Sequence, residues 1–193
     1  MRLILLSALS LAVLLPTTQA QGFRYTYLEA GFGTHDVDGG GDSGDVLGFG
    51  ASVGLGDALF LTANSNTSTF DTGILGDMDV THTSLGLGFH TAIGDGTDLV
   101  IQAEIVNMEV ELLGVSADDD GIAFGGGLRI GISDSIELDI GYTQVEYDDS
   151  GSDSVVDAGA RFNLGESLSI GVAAEFWDEG GDDVLMGSLR WYL

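Results

Sequence analysis

From Leu47 to Gly56 the chain reads Leu-Gly-Phe-Gly-Ala-Ser-Val-Gly-Leu-Gly, with large apolar residues alternating with small ones. A period of two puts the two sets on opposite faces of an extended strand, whereas a helix needs apolar residues three and four apart. The alternation returns in Leu85-Gly86-Leu87-Gly88-Phe89-His90, in Ile136-Glu137-Leu138-Asp139-Ile140-Gly141-Tyr142 and in Ala158-Gly159-Ala160-Arg161-Phe162-Asn163-Leu164. Followed along the chain, it predicts ten strands, at approximately 25–35, 46–56, 59–69, 80–93, 99–112, 122–132, 136–147, 155–164, 168–177 and 184–193. Eight strands is the alternative, because Thr62 to Thr69 is polar on both faces and reads partly as loop.

The connections alternate in kind. Short ones fall near Gly56-Asp57, Gly94-Asp95-Gly96, Ser133-Asp134 and Gly165-Glu166. Longer ones at 36–45, 70–79, 114–121, 148–154 and 178–183 hold 17 of the 31 acidic residues. The expected fold is therefore all-β, an antiparallel transmembrane barrel with short periplasmic turns and five longer acidic extracellular loops. An even number of strands closes such a barrel and leaves no unpaired edge in lipid.

The two strand faces separate this fold from a soluble sandwich. One carries Leu28, Phe32, Phe49, Val53, Leu87, Ile105, Leu138, Ile140, Leu189 and Trp191, almost free of charge in mid-strand. Hydrocarbon demands this, since Arg or Lys at the bilayer midplane costs roughly 2–4 kcal/mol. The other face is rich in glycine, interrupted by single charges, which suits a crowded lumen better than a water-facing surface. Aromatics near the strand ends (Phe23, Tyr25, Tyr27, Tyr142, Tyr147, Trp177, Trp191 and Tyr192) fit interfacial girdles, with some of them pointing into the lumen as the alternative.

The chain opens with Met1-Arg2, an apolar run from Leu3 to Leu15 and the exit Pro16-Thr17-Thr18-Gln19-Ala20, the order of a secretory signal. The expected organisation is a signal peptide at 1–20, exported by the general secretion route, and one barrel domain at 21–193. The chain has no cysteine, so disulfides, thiolate metal sites and a thiol nucleophile are excluded. After residue 20 there are four arginines, no lysine and all 31 acidic residues, a side-chain charge of −27. Such a chain has no means of neutralising phosphates, and nucleic acid is excluded as a partner.

The last ten residues, Val184-Leu185-Met186-Gly187-Ser188-Leu189-Arg190-Trp191-Tyr192-Leu193, form an alternating strand that ends the chain. Here the sequence resembles the small bacterial outer-membrane β-barrel family, with Leu185, Leu189, Trp191 and Leu193 on the family's alternating terminal pattern. Leu193 departs from the commoner terminal phenylalanine. The resemblance implies outer-membrane lipid as surroundings and the barrel-assembly machinery as a partner during biogenesis, with the protein working as a monomer.

Candidate chemistry lies in two places. Arg129, Arg161 and Arg190 share the lumen phase with Glu29, Glu104, Glu137, Asp139, Asp157 and Glu175, a set with net charge −3. Buried charges must be paired, so these residues are expected to form an ion-pair network that plugs the barrel. The alternative is a narrow cation-preferring conduit. In the first long loop, Asp36, Asp38, Asp42 and Asp45 stand among glycines and are candidate ligands for a low-affinity, calcium-type divalent ion, with Asp118-Asp119-Asp120 and Asp182-Asp183 near the same rim. Solvated acidic loops are the simpler reading, and no cofactor is expected. A rim hydrolase built on His35 or His82, with Asp79 and Ser84 nearby, has no nucleophile elbow or oxyanion motif around it. The sequence thus points to a non-enzymatic barrel with a structural or surface-interaction role, a small channel as runner-up and a hydrolase behind both.

Overall fold

The computed structural model describes residues 23–37, 43–178 and 182–193. Ten strands run β1 Tyr27–Asp36, β2 Gly44–Leu55, β3 Leu59–Asp71, β4 Asp77–Gly94, β5 Thr97–Leu112, β6 Val115–Ser133, β7 Ile136–Tyr147, β8 Gly151–Asn163, β9 Leu168–Trp177 and β10 Asp183–Tyr192. Each pairs antiparallel with its chain neighbours, and β1 pairs with β10 from Tyr27↔Tyr192 to Asp36↔Asp183, closing the barrel. The stretch Thr62 to Thr69 lies inside β3 and is paired on both sides, which decides for ten strands over eight.

Lateral hydrogen bonds satisfy the backbone, so side chains are free to sort by face. Large apolar residues point away from the barrel: Phe32 is 61%, Phe49 57% and Ile105 62% exposed. A soluble protein would bury them; in lipid this exposed belt is the favourable surface. Inside, glycine makes room for longer neighbours. A Cβ on Gly88 would enter the Phe60 ring, and one on Gly159 would enter the Asp139 carboxylate.

Two features differ from the sequence expectation. Residues 115–121, read as an acidic loop, are strand. β5 and β6 run on to Leu112↔Val115 and turn through Leu113 and Gly114, at φ 56° and 75°, the positive pair of a two-residue hairpin turn. β4 and β8 likewise begin at Asp77 and Gly151, earlier than the alternation shows. Beyond the lipid belt both faces of a strand meet water, so the period of two fades while the ladder continues. The second difference concerns the aromatics. Tyr25 is 8% and Tyr192 4% exposed, and Tyr142 and Trp191 remain on the outer surface. The predicted signal at 1–20 lies outside the described residues.

Candidate functional site

The lumen is organised in tiers. At the short-turn end, Phe23 to Thr26 precede β1 and run across the mouth. The Ser52 hydroxyl donates to the Tyr25 carbonyl at 2.7 Å and the Gly54 amide to the Thr26 hydroxyl at 2.9 Å, pinning this segment to β2. The Tyr25 ring stacks on His90 with centroids 3.7 Å apart, and its hydroxyl donates to Asp98 at 2.9 Å. Asp98, 1% exposed, also lies 3.4 Å from His90 Nδ1. The Arg129 guanidinium sits 4.8 Å from the Tyr25 ring centroid and 4.7 Å from that of Phe23, while donating to Glu137 at 2.7 Å. Glu137 also accepts from the Asn163 amide at 2.9 Å. Aromatic faces attract the desolvated guanidinium and the carboxylates neutralise it, so charge and apolar surface meet at this mouth.

Glu29 holds the next tier. It accepts from Arg161 at 3.0 Å, from Arg190 Nε at 2.9 Å and Nη2 at 2.6 Å, and from the Ser188 hydroxyl at 2.6 Å. Arg190 lies 3.7 Å over the Tyr27 ring, and Arg24 lies 4.0 Å over that of Tyr192. Closure of β1 against β10 makes this possible, because it sets Glu29 directly across from Arg190.

Above these arginines the wall turns acidic. Glu104, Asp139, Asp157 and Glu175 line a cavity of about 780 Å³. Among the described residues, none of the four lies within ion-pairing distance of an arginine; Glu104 accepts from Thr62 at 3.2 Å. Asp139 and Asp157 lie opposite Gly159 and Gly141 on neighbouring strands, each carboxylate occupying the space its facing glycine leaves. The nine predicted lumen residues thus divide: Glu29, Arg129, Glu137, Arg161 and Arg190 are joined in ion pairs, and the other four acids face open space.

At the loop end, His35 shares a 2.9 Å hydrogen bond with Ser68 through Nδ1, and its Nε2 lies 3.4 Å from Asp182. His82 meets Trp177 at 5.9 Å and the Tyr147 hydroxyl at 3.3 Å. The hydrolase constellations do not assemble. The Asp79 carboxylate accepts from Thr69, and Ser84 accepts from Asn64. Ser68 is 5% exposed, and its hydrogen bond with His35 ties β3 to β1 over the inner face of β2.

On the rim, Asp36 and Asp45 are exposed in β1 and β2, while Asp38 and Asp42 lie outside the described residues. Among the described residues no three acidic or histidine side chains converge as a metal ligand set. Asp119 instead serves the backbone, accepting from the Ser150 amide at 2.7 Å and the Asp149 amide at 3.2 Å. Hydrogen bonds from Ser150 first, then from the amides of the β7–β8 turn, hold this carboxyl below its ordinary pKa. Phe23, Tyr25 and Tyr27 alternate at period two, which is why the first strand is expected from 25, two residues before β1 begins; the alternation does not show that the segment turns to the mouth.

Solved structures share this architecture. The NanC porin superposes with a TM-score of 0.57 at 9% identity, covering 86% of this chain and 100% of that one. The β domain of the Bordetella autotransporter BrkA gives 0.52 at 11% identity, covering 88% and 99%. The KdgM porin in complex with disordered oligogalacturonate gives 0.51 at 7%, covering 86% and 99%. At such identities the likeness extends to the fold alone. No curated protein matches the chain. The model of the outer membrane protein beta-barrel domain matches residues 3–176, and the chain belongs to that bacterial outer-membrane family.

Proposed function

We propose that this is a non-enzymatic outer-membrane barrel, shut at its periplasmic end by the Tyr25–Arg129 plug, that acts through its acidic outer end. The observation that carries the reading is the mouth itself: Tyr25, Phe60, His90 and Asp98 are all at least nine-tenths buried, and the last three each contact Tyr25. Wide aqueous channels are typical of barrels of roughly 16 strands, whereas the narrow mouth of a ten-strand barrel is within reach of a few large side chains. On this reading the barrel works as a monomer in outer-membrane lipid, exported with its signal at 1–20 removed and inserted by the barrel-assembly machinery. The paired lumen charges serve stability.

A second reading has its own observation. The carboxylates of Glu104, Asp139, Asp157 and Glu175 face the cavity, so displacement of the plug would open a cation-preferring path. Conductance of the refolded protein in a planar bilayer separates the two. Silence in the wild type, with cation-selective leaks in Tyr25→Ala and Arg129→Ala, supports the plugged barrel. Stable cation-selective steps in the unaltered protein would replace it with the channel.

A further inference from the structure

The β5–β6 ribbon is flanked by β4 up to Met78↔Leu112, outgrows β7 on its other side and has two unlike faces. Above Gly121↔Tyr147, β6 loses β7 as a partner; the last contact is the Asp148 amide on the Asp120 carbonyl at 2.8 Å. From Val115 to Asp118 it is paired with β5 alone, so among the described residues one edge of this segment has no strand beside it. Alternation sends Glu109, Glu111 and Asp118 to the lipid-side face of the ribbon and Val110, Val115 and Ala117 to the lumen-side face. Val115 is 73% exposed, and the adjoining Leu113 is 69% exposed at a positive φ that leucine rarely adopts.

We infer that this edge is a docking site for an extended cationic polypeptide segment in which Lys or Arg alternates with large apolar residues. Added as a strand beside β6, such a segment places its cations against Glu109, Glu111 and Asp118 and its apolar residues against Val110, Val115 and Ala117, while its main chain pairs with the edge-facing backbone groups of Ser116 and Asp118. Three observations choose this occupant. The unpaired backbone favours a polypeptide over a small cation. The acidic face repels a second copy of the same ribbon and an anionic lipid surface alike. All four arginines of residues 21–193 lie toward the other end or before β1, so no internal cation competes for the acids. Charges on a free strand edge ordinarily prevent uncontrolled pairing, and here they do so against every strand except one of opposite charge.

The test uses the full barrel refolded in zwitterionic lipid nanodiscs and a fluorescent, end-capped peptide of alternating Lys and Leu, with empty nanodiscs as the blank. Saturable binding is expected, at least tenfold tighter than for a Lys-Ser peptide of equal charge, with new hydrogen-exchange protection at the Ser116 and Asp118 amides, which point away from β5. The triple variant E109Q/E111Q/D118N and the double variant V110S/V115S should each weaken binding at least tenfold, and D134N/E166Q, at the opposite end, should not. Equal affinity for the two peptides overturns the inference, as does binding without protection at these two amides. The exchange measurement needs only the wild type, so it decides even where a variant fails to insert.

Discussion

Replacing Glu29 by glutamine changes few atoms and should cost this barrel much of its stability. The carboxylate accepts four hydrogen bonds, three of them from Arg161 and Arg190. Glutamine keeps the shape, removes the charge and turns an amide donor toward guanidinium donors. The side chains are 19% exposed for Glu29, 10% for Arg161 and 11% for Arg190, so the arginines recover little hydration from bulk water. Removing one partner of a buried pair costs about 3–5 kcal/mol. Water in the cavity above solvates the arginines in part, which puts the expected loss near the lower bound, ~3 kcal/mol, against a typical domain stability of ~5–15 kcal/mol. Urea unfolding from lipid vesicles measures it. Because the damage is two uncompensated cations, Glu29→Gln/Arg190→Leu should be more stable than Glu29→Gln alone, with a coupling of at least ~1 kcal/mol. A loss below ~1 kcal/mol for Glu29→Gln, or strict additivity in the double variant, would refute the argument that the network is held by charge pairing.

Gly33→Ala places a Cβ into the backbone of β10 at the Leu185 carbonyl and should destabilise by at least ~2 kcal/mol, whereas Gly50→Ala meets the movable Asn64 amide oxygen at 3.0 Å and Glu29 Cβ at an ordinary 3.8 Å and should cost under ~1 kcal/mol by the same unfolding assay. Leu113→Asn suits the positive φ of the β5–β6 turn and should slow hydrogen exchange at Leu112 and Val115, by an amount worth ~0.5–1 kcal/mol; unchanged exchange would show that the turn stores no strain. The Asp119 carboxyl has a folded pKa below its ordinary value, so its contribution is present in full above that ordinary value and is lost as pH falls through the depressed one. Exchange at the Asp149 and Ser150 amides should therefore stay slow down to about pH 4 and accelerate below it, once the intrinsic acid dependence is divided out, while Asp119→Asn removes the step.

How far the sequence reaches follows from where water and lipid lie. Between lipid and lumen each strand has two unlike surroundings, and Leu28, Phe32, Leu138 and Ile140 alternate with Glu29, Gly31, Glu137 and Asp139 in a period that fixes both strand and facing. Past the belt that contrast disappears, which is why Asp118 to Asp120 read as loop although their backbone is paired with β5. Phase also differs from register. Alternation places three arginines and six acids in the lumen, but which acid meets which arginine depends on how ten strands are staggered, and above all on the closing β1–β10 pair, whose partners Glu29 and Arg190 stand 161 residues apart. The staggering gives Glu29 two arginines; Asp139 stands across from Arg129, whose guanidinium pairs with Glu137 instead, and Asp157 and Glu175 meet no arginine, so the ion pairs gather below and the acids without an arginine above. The aromatics before β1 respond to that asymmetry. With Arg129 and Asp98 already at the short-turn end, Tyr25 finds a cation for its ring and a carboxylate for its hydroxyl, neither of which a lipid interface would supply together. On the proposed function, a solute arriving from the loop end would meet carboxylates first and the Tyr25–Arg129 plug last.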